Sequence, residues 1–349
     1  MKRKINKFLY INSCLIVFFT ILLFSLSFNF ASAASLPYGE RIFYYSTQKS
    51  NVADFVAHVN KIDIIAPQTY EINYNLNASG TVPTDLYIAA QSAKIKIMPL
   101  LTNKDFSQPL IHQFLASSTA ESKLISFLAS EATAKGYIGW QLDIEHIPAA
   151  DRDLFSAFVE SAATALHAHG QILSVAVVSQ IPGASSTDPK SDYYKNWSGA
   201  YDYTKLGKTA DFLSLMTYDD PNSAGPSAPI SFVRDALDYA TSQVPPAKIS
   251  LGIPLFYWGW STTPRKHLTY GGTYDMLQNR RVNYPSLLGY NQTYAAPFLI
   301  YSIAKKIYII WYENSASFAA KAVLIQTEHL RGFSAWVLGT ENPEIWSTI

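Results

Sequence analysis

Asp143 and Glu145 stand two residues apart in the run Tyr137-Ile-Gly-Trp-Gln-Leu-Asp-Ile-Glu-His-Ile147. In an extended strand Gln141, Asp143 and Glu145 share one face, while Trp140, Leu142 and Ile144 share the other. The apolar side can pack on a neighbouring layer, so the polar side must face a cavity, a ligand or water. Carboxyls at this spacing have Cα atoms roughly 6.5–7 Å apart. Their titrations should couple, so one can hold a proton while its neighbour stays ionised. That is what a general acid beside an electrostatic partner requires. An exposed edge strand with its acids in solvent would show the same local pattern, so the surrounding elements must decide.

Those elements alternate. Short β-rich runs recur at 41–46, 62–67, 95–101, 137–145, 172–178, 212–218, 248–253 and 332–338. Most are near-continuous apolar segments, as expected of parallel strands covered by helices. Between them, residues 124–134, 154–167, 230–240 and 317–329 carry apolar side chains at three- and four-residue spacing. One such stripe is Phe155, Phe158, Val159, Ala162 and Leu166, with Gly170 placed to end its helix. Eight β-then-α units in a chain of this length predict an α/β fold, a (β/α)₈ TIM barrel. A doubly wound open sheet is the alternative, but no Gly-rich phosphate loop follows the first strand. The long gap at 261–316 predicts a small α+β insertion between strands 7 and 8. The polar stretch 185–197 reads as a connection.

In such a barrel the carboxyl ends of the strands form the site. Glu145 ends the fourth strand. In the sixth, Ser214, Met216 and Tyr218 share the inward face, and Asp219 opens the next loop; in the eighth, Gly332, Ser334 and Trp336 share a face. Taken singly, Trp336 could be core and Tyr218-Asp219 a plain strand end. Together they describe a sugar pocket, with an indole platform for a pyranose face and acids and a phenol for its polar atoms. Tyr257, Trp258 and Trp260 follow the seventh strand and either line further subsites or pack against the insertion. His146 points to the opposite strand face, where a structural or surface role is expected. Gln141 is expected to face the pocket as a hydrogen-bond support.

The ends and composition limit the rest. Lys2, Arg3, Lys4 and Lys7 precede an uncharged apolar run, and Ala31-Ser32-Ala33 has the small-x-small form of a signal-peptidase site. Residues 1–33 are therefore expected to be a signal peptide and 34–349 the catalytic barrel, with a retained membrane anchor as the alternative. The 349 residues carry 27 basic and 26 acidic side chains. Removing the four basic residues of the leader leaves 23 against 26, net −3, which argues against nucleic acid as a partner. The single cysteine, Cys14, lies in the leader, so no disulfide stabilises the mature chain, and a Cys/His zinc site is excluded. No metal is expected.

The motifs resemble one family. Leu142-Asp143-Ile144-Glu145 looks like the end of the Asp-x-x-Asp-x-Asp-x-Glu signature of glycoside hydrolase family 18, the chitinase family. Met216-Thr217-Tyr218-Asp219 is similar to that family's sixth-strand motif, and Trp336 to its eighth-strand tryptophan. Four further stretches resemble its bacterial branch acting on cell wall and spore cortex. These are Gly225-Pro226-Ser227-Ala228-Pro229, then 248–254, then Trp311-Tyr312-Glu313, and finally 332–339. Ile138 stands where the signature has its first Asp, and Gln141 where it has its second.

The resemblance implies a secreted or cell-wall-associated enzyme cleaving glycans that contain N-acetylglucosamine, chitin or peptidoglycan. It would act by substrate-assisted retention, in which the substrate's acetamido group replaces an enzymic nucleophile. It further implies Glu145 as proton donor, Asp143 as partner of the acetamido group and Tyr218 as its hydrogen-bond donor. Asp219, Met216, Gln141, Trp336 and Tyr257 would then contact or support the sugar, with no cofactor required. The expected partner is a polysaccharide or oligosaccharide, with no membrane contact after leader cleavage, and a monomer is expected. The competing expectation is a sugar-binding barrel without catalysis.

Overall fold

The computed structural model describes residues 38–349. Residues 1–33, expected to be a signal peptide, and Cys14 lie outside the described residues. Eight parallel strands close into a barrel. They are β1 (Glu40–Tyr45), β2 (Ile64–Ile72), β3 (Leu100–Asn103), β4 (Gly139–Asp143), β5 (Ile172–Val178), β6 (Phe212–Met216), β7 (Ile249–Pro254) and β8 (Gly332–Trp336). Closure is made by β1, which pairs with β8 on one side and with β2 on the other. The chain passes from strand to strand through α1 (Val52–Ala57), α2 (Thr84–Ala93), α3 (Ser118–Lys135), α4 (Arg152–His167), α5 (Tyr203–Thr209), α6 (Ile230–Gln243) and α7 (Ser315–Thr327). This is the expected (β/α)₈ barrel.

Two helices show the local signals most plainly. Ser117 caps α3 by accepting from the Ala120 N–H, and Gly136, at φ +67°, ends it in the left-handed region. On α4, Phe155, Phe158, Val159, Ala162 and Leu166 are all buried. They lie in the same apolar shell as Trp140 and Leu142 of β4 and Ile144 just after it. Trp140 also donates its indole N–H to the Leu128 carbonyl of α3 at 2.9 Å. With Trp140 and Leu142 fixed outward, period two turns Gln141 and Asp143 inward.

Three boundaries differ from expectation. The third strand is two pieces, Lys96–Ile97 and Leu100–Asn103, because Pro99 has no N–H to give the ladder. The fourth stops at Asp143, two residues before Glu145. The insertion begins at Tyr257 rather than 261. It is a five-stranded antiparallel sheet with one helix, Tyr274–Asn283, and its first strand, Tyr257–Thr262, pairs Trp258 with Trp311 and Trp260 with Ile309.

Candidate active site

Inside the barrel, below its mouth, the side chains form a polar layer. Gln141 Nε2 donates to Ser174 Oγ at 2.8 Å, the Tyr44 and Ser214 hydroxyls lie 2.7 Å apart, and those of Ser250 and Ser334 lie 2.6 Å apart. Small hydroxyls on β5, β6, β7 and β8 leave room for the bulkier Tyr44 and Gln141. Gln141 is fully buried in this layer. It faces inward but not into the pocket as expected: it supports from below, because it sits one pleat beneath Asp143, and is absent from the lining of the three cavities above.

Asp143 stands one pleat higher. It is 5% exposed, and its Oδ2 accepts a hydrogen bond of 3.4 Å from Gln68 Nε2 of β2. Burial raises its carboxyl to about 6, against the pull of Gln68. Glu145, on the loop above, is held well above the usual carboxylate range, first by burial and then by the charges of Asp143 and Asp219. Asp219 is likewise raised to about 6 by burial, although Ser227 Oγ donates to its Oδ1 at 3.1 Å. The three acids therefore repel one another in a dry site, and Glu145 is the one that keeps its proton to the highest pH.

Tyr218 follows β6, with its ring passing over Gly252 of β7. A Cβ built on Gly252 would come within 3.0 Å of that ring and 2.4 Å of the Leu215 carbonyl, so no larger residue fits there. Burial holds the phenol protonated far above neutrality, leaving its O–H as a donor. Trp336 lies across the barrel mouth, tilted on Tyr44 with ring centroids 5.2 Å apart.

Three cavities meet at these groups. A cleft of about 590 Å³ is lined by Gln68, Asp219, Trp336, Trp258, Trp260 and Tyr270, among others. A smaller one of about 200 Å³ holds Glu145, Met216, Tyr218, Asp219, Tyr193 and Trp197. A third, of about 470 Å³, runs from Gln68 along β2 and β3. The first and second share Asp219, and the first and third share Gln68. The result is a groove that crosses the barrel mouth with Glu145 and Asp219 on its wall, while Asp143, 5% exposed, lines none of the three cavities.

Further expectations need correction. Tyr257 does not line the groove. It is 4% exposed and packs with Leu277, Leu299 and Ile310 in the insertion's own core. The antiparallel ladder of the insertion starts at Tyr257, which turns it inward and sends Trp258 into the cleft. The stretch 185–197 is more than a connection, because Tyr193 and Trp197 form part of the wall beside Glu145. His146 does not point to the opposite strand face, because the strand ends at Asp143; its ring stacks on Trp197 at 4.5 Å and its Nδ1 lies 3.2 Å from the Phe106 carbonyl.

Gln68, Tyr44, Asn103 and Tyr201 escaped the sequence reading. Each is an ordinary residue on a strand or loop, and only the barrel's closure brings it to the acids. Trp258 is 5% exposed, and its indole N–H faces Asp219 without closing a hydrogen bond. Among the described residues, no group of three His, Cys, Asp or Glu side chains converges to hold a metal ion.

Comparison with known proteins agrees with this geometry. The model of the family "Glycosyl hydrolases family 18" matches residues 40–341. The cortical fragment-lytic enzyme of Bacillus subtilis is 31% identical over 276 residues, which cover 75% of this chain and 61% of that enzyme. The chain thus spans less than two thirds of that relative's length. The uncharacterized glycosylase YvbX of Bacillus subtilis is 25% identical over 338 residues, 94% of each chain. The crystal structure of a chitinase from Chromobacterium violaceum superposes with a TM-score of 0.79 at 27% identity, covering 89% of this chain and 97% of that one.

Proposed function

The chain belongs to glycosyl hydrolases family 18, and on that premise we propose that it is an exported glycosidase. Its substrate is a β-1,4-linked glycan containing N-acetylglucosamine, as in chitin or peptidoglycan, and it cleaves with retention by substrate assistance. The observation that carries this reading is geometric: Glu145, Met216, Tyr218 and Asp219 line one small cavity at the carboxyl ends of β4 and β6. There burial, then the charges of Asp143 and Asp219, raise Glu145 well above the ordinary carboxylate range, as a proton donor requires.

In the proposed reaction Glu145 gives its proton to the glycosidic oxygen as the bond to the anomeric carbon breaks. The acetamido carbonyl oxygen of the same sugar attacks that carbon, forming a cyclic oxazolinium-like cation. Asp143 accepts the acetamido N–H and offsets the positive charge, and Tyr218 donates its O–H to the acetamido oxygen. Trp336 forms the floor and Met216 a side wall. Asp219 sustains the field that keeps Glu145 protonated. Glu145, now ionised, takes a proton from water as its oxygen attacks the anomeric carbon and opens the ring, which restores the starting state. The groove on both sides of the acids suits a chain-like substrate, and the basic-then-apolar leader supports export.

The test is release of reducing ends from chitin oligomers and from purified peptidoglycan. Wild type is expected to cleave at least one of them, while Glu145→Gln binds and does not cleave. Equal binding with no cleavage by either protein would refute the proposal.

A further inference from the structure

Glu145 stands outside the ladder that aims the acids of β4. The last register pair between β3 and β4 is Thr102 with Asp143. Beyond Glu145, His146 adopts φ +58°, left-handed backbone that a non-glycine residue rarely takes. A carboxyl on such a segment would point in no fixed direction unless something replaced the missing strand neighbour.

Asn103, the last residue of β3 and 1% exposed, does so. Its Oδ1 accepts from the Glu145 N–H at 3.0 Å, and its Nδ2 donates to the Glu145 carbonyl at 3.1 Å. A primary carboxamide carries a donor and an acceptor side by side, as a peptide group does. A carboxylate cannot donate, and an aliphatic side chain can do neither. Asn103 therefore extends the ladder by one side-chain rung. The flanking residues are tied as well, Ile144 through its carbonyl to the Tyr201 hydroxyl at 2.8 Å and His146 to the Phe106 carbonyl.

We infer that Asn103 is a positioning residue for the reaction, because its carboxamide clamps the backbone of Glu145 and so sets where that carboxyl points. The inference rests on the reading of Glu145 as proton donor.

The test measures kcat, KM and thermal stability on a soluble N-acetylglucosamine oligomer for wild type, Asn103→Ala, Asn103→Asp and Glu145→Gln, with amide hydrogen exchange at Glu145. Asn103→Ala should lower kcat by about 10- to 100-fold, the cost of misplacing a catalytic group by about an ångström. KM should stay within about twofold, and the Glu145 amide should lose protection. Asn103→Asp is nearly isosteric and guards against a folding failure. It keeps the acceptor but sets a negative charge against the Glu145 carbonyl, so kcat should fall and its alkaline limb should move to higher pH. Wild-type kcat in either folded variant, or a loss confined to KM and stability, would overturn the inference. Hydrolysis by Glu145→Gln at the wild-type rate would instead remove the proton donor itself and, with it, the premise.

Discussion

Gln68 Nε2 lies 3.4 Å from Asp143 Oδ2, and it is the one side chain among the described residues that donates to that carboxylate. Among the described residues no other side chain fills the remaining acceptor positions of Asp143. This single long bond leaves Asp143 raised to about 6 and able to raise Glu145 in turn.

The activity should therefore follow a bell in pH. Below about pH 6, Asp143 is protonated and cannot offset a cationic intermediate, so kcat/KM falls on the acid side. On the alkaline side it falls as Glu145 loses its proton. Asp143→Asn removes a charge that holds that proton in place, so the alkaline limb should move to lower pH while kcat drops about 100-fold or more. Gln68→Leu should move the acid limb to higher pH, because it removes the bond that favours the ionised form. Rate profiles of the three proteins from pH 4 to 10 check both shifts.

Asp219 should cost stability for the sake of function. Its carboxyl is raised from 3.8 to about 6 on folding, so between those values the native state binds a proton that the unfolded chain does not. The sign follows: stability is greatest below the unfolded value and is lost as pH rises through about 6. Asp219→Asn removes the penalty. The full shift corresponds at pH 7 to about 3 kcal/mol. Solvent screening of the partly exposed Asp219 reduces it, so the variant should be more stable than wild type by about 1–2 kcal/mol, and the advantage should vanish near pH 4. Urea unfolding at the two pH values measures the difference.

Glu313 and Lys321 form a buried ion pair, at 2.8 and 2.9 Å with exposures of 4% and 0%. The pair joins the end of the insertion to α7. Lys321→Met should cost about 3–5 kcal/mol by leaving a carboxylate buried without its partner. The double change Glu313→Gln/Lys321→Met should recover most of that loss. Thermal melts of the single and double variants decide it.

Trp336 presents its indole to the cleft from a seat on Tyr44. Trp336→Ala should lower kcat/KM by about tenfold to 100-fold, corresponding to the loss of about 1–3 kcal/mol of apolar and stacking contact with a sugar face. Tyr44→Phe, which keeps the ring beneath the indole, should lower it far less. Steady-state kinetics on one oligomer separates the two.

Much of this site is legible in the chain because strand periodicity and barrel topology act together. Alternation at Trp140, Leu142 and Ile144 turns Gln141 and Asp143 inward, and the barrel rule sends Glu145, Tyr218 and Trp336 to one mouth. Contacts between distant segments are not legible. Nothing local marks Gln68 as the donor to Asp143, Asn103 as the clamp on Glu145, or Trp197 as a wall. Tyr257 packs into the insertion's core because the insertion starts there, and a one-residue shift in period two exchanges the cleft face with the core face. Pro99 splits the third strand for a local reason, its missing donor, that the apolar run conceals.

The central claim, that Glu145 gives its proton while the substrate's acetamido group attacks, is tested most directly by the anomeric form of the first product. Proton NMR of a fresh digest of an N-acetylglucosamine oligomer should show the new reducing end as the β-anomer before mutarotation, with no turnover by Glu145→Gln and none of the de-N-acetylated oligomer. First appearance of the α-anomer, or cleavage of the oligomer lacking acetamido groups at the same rate, would contradict it.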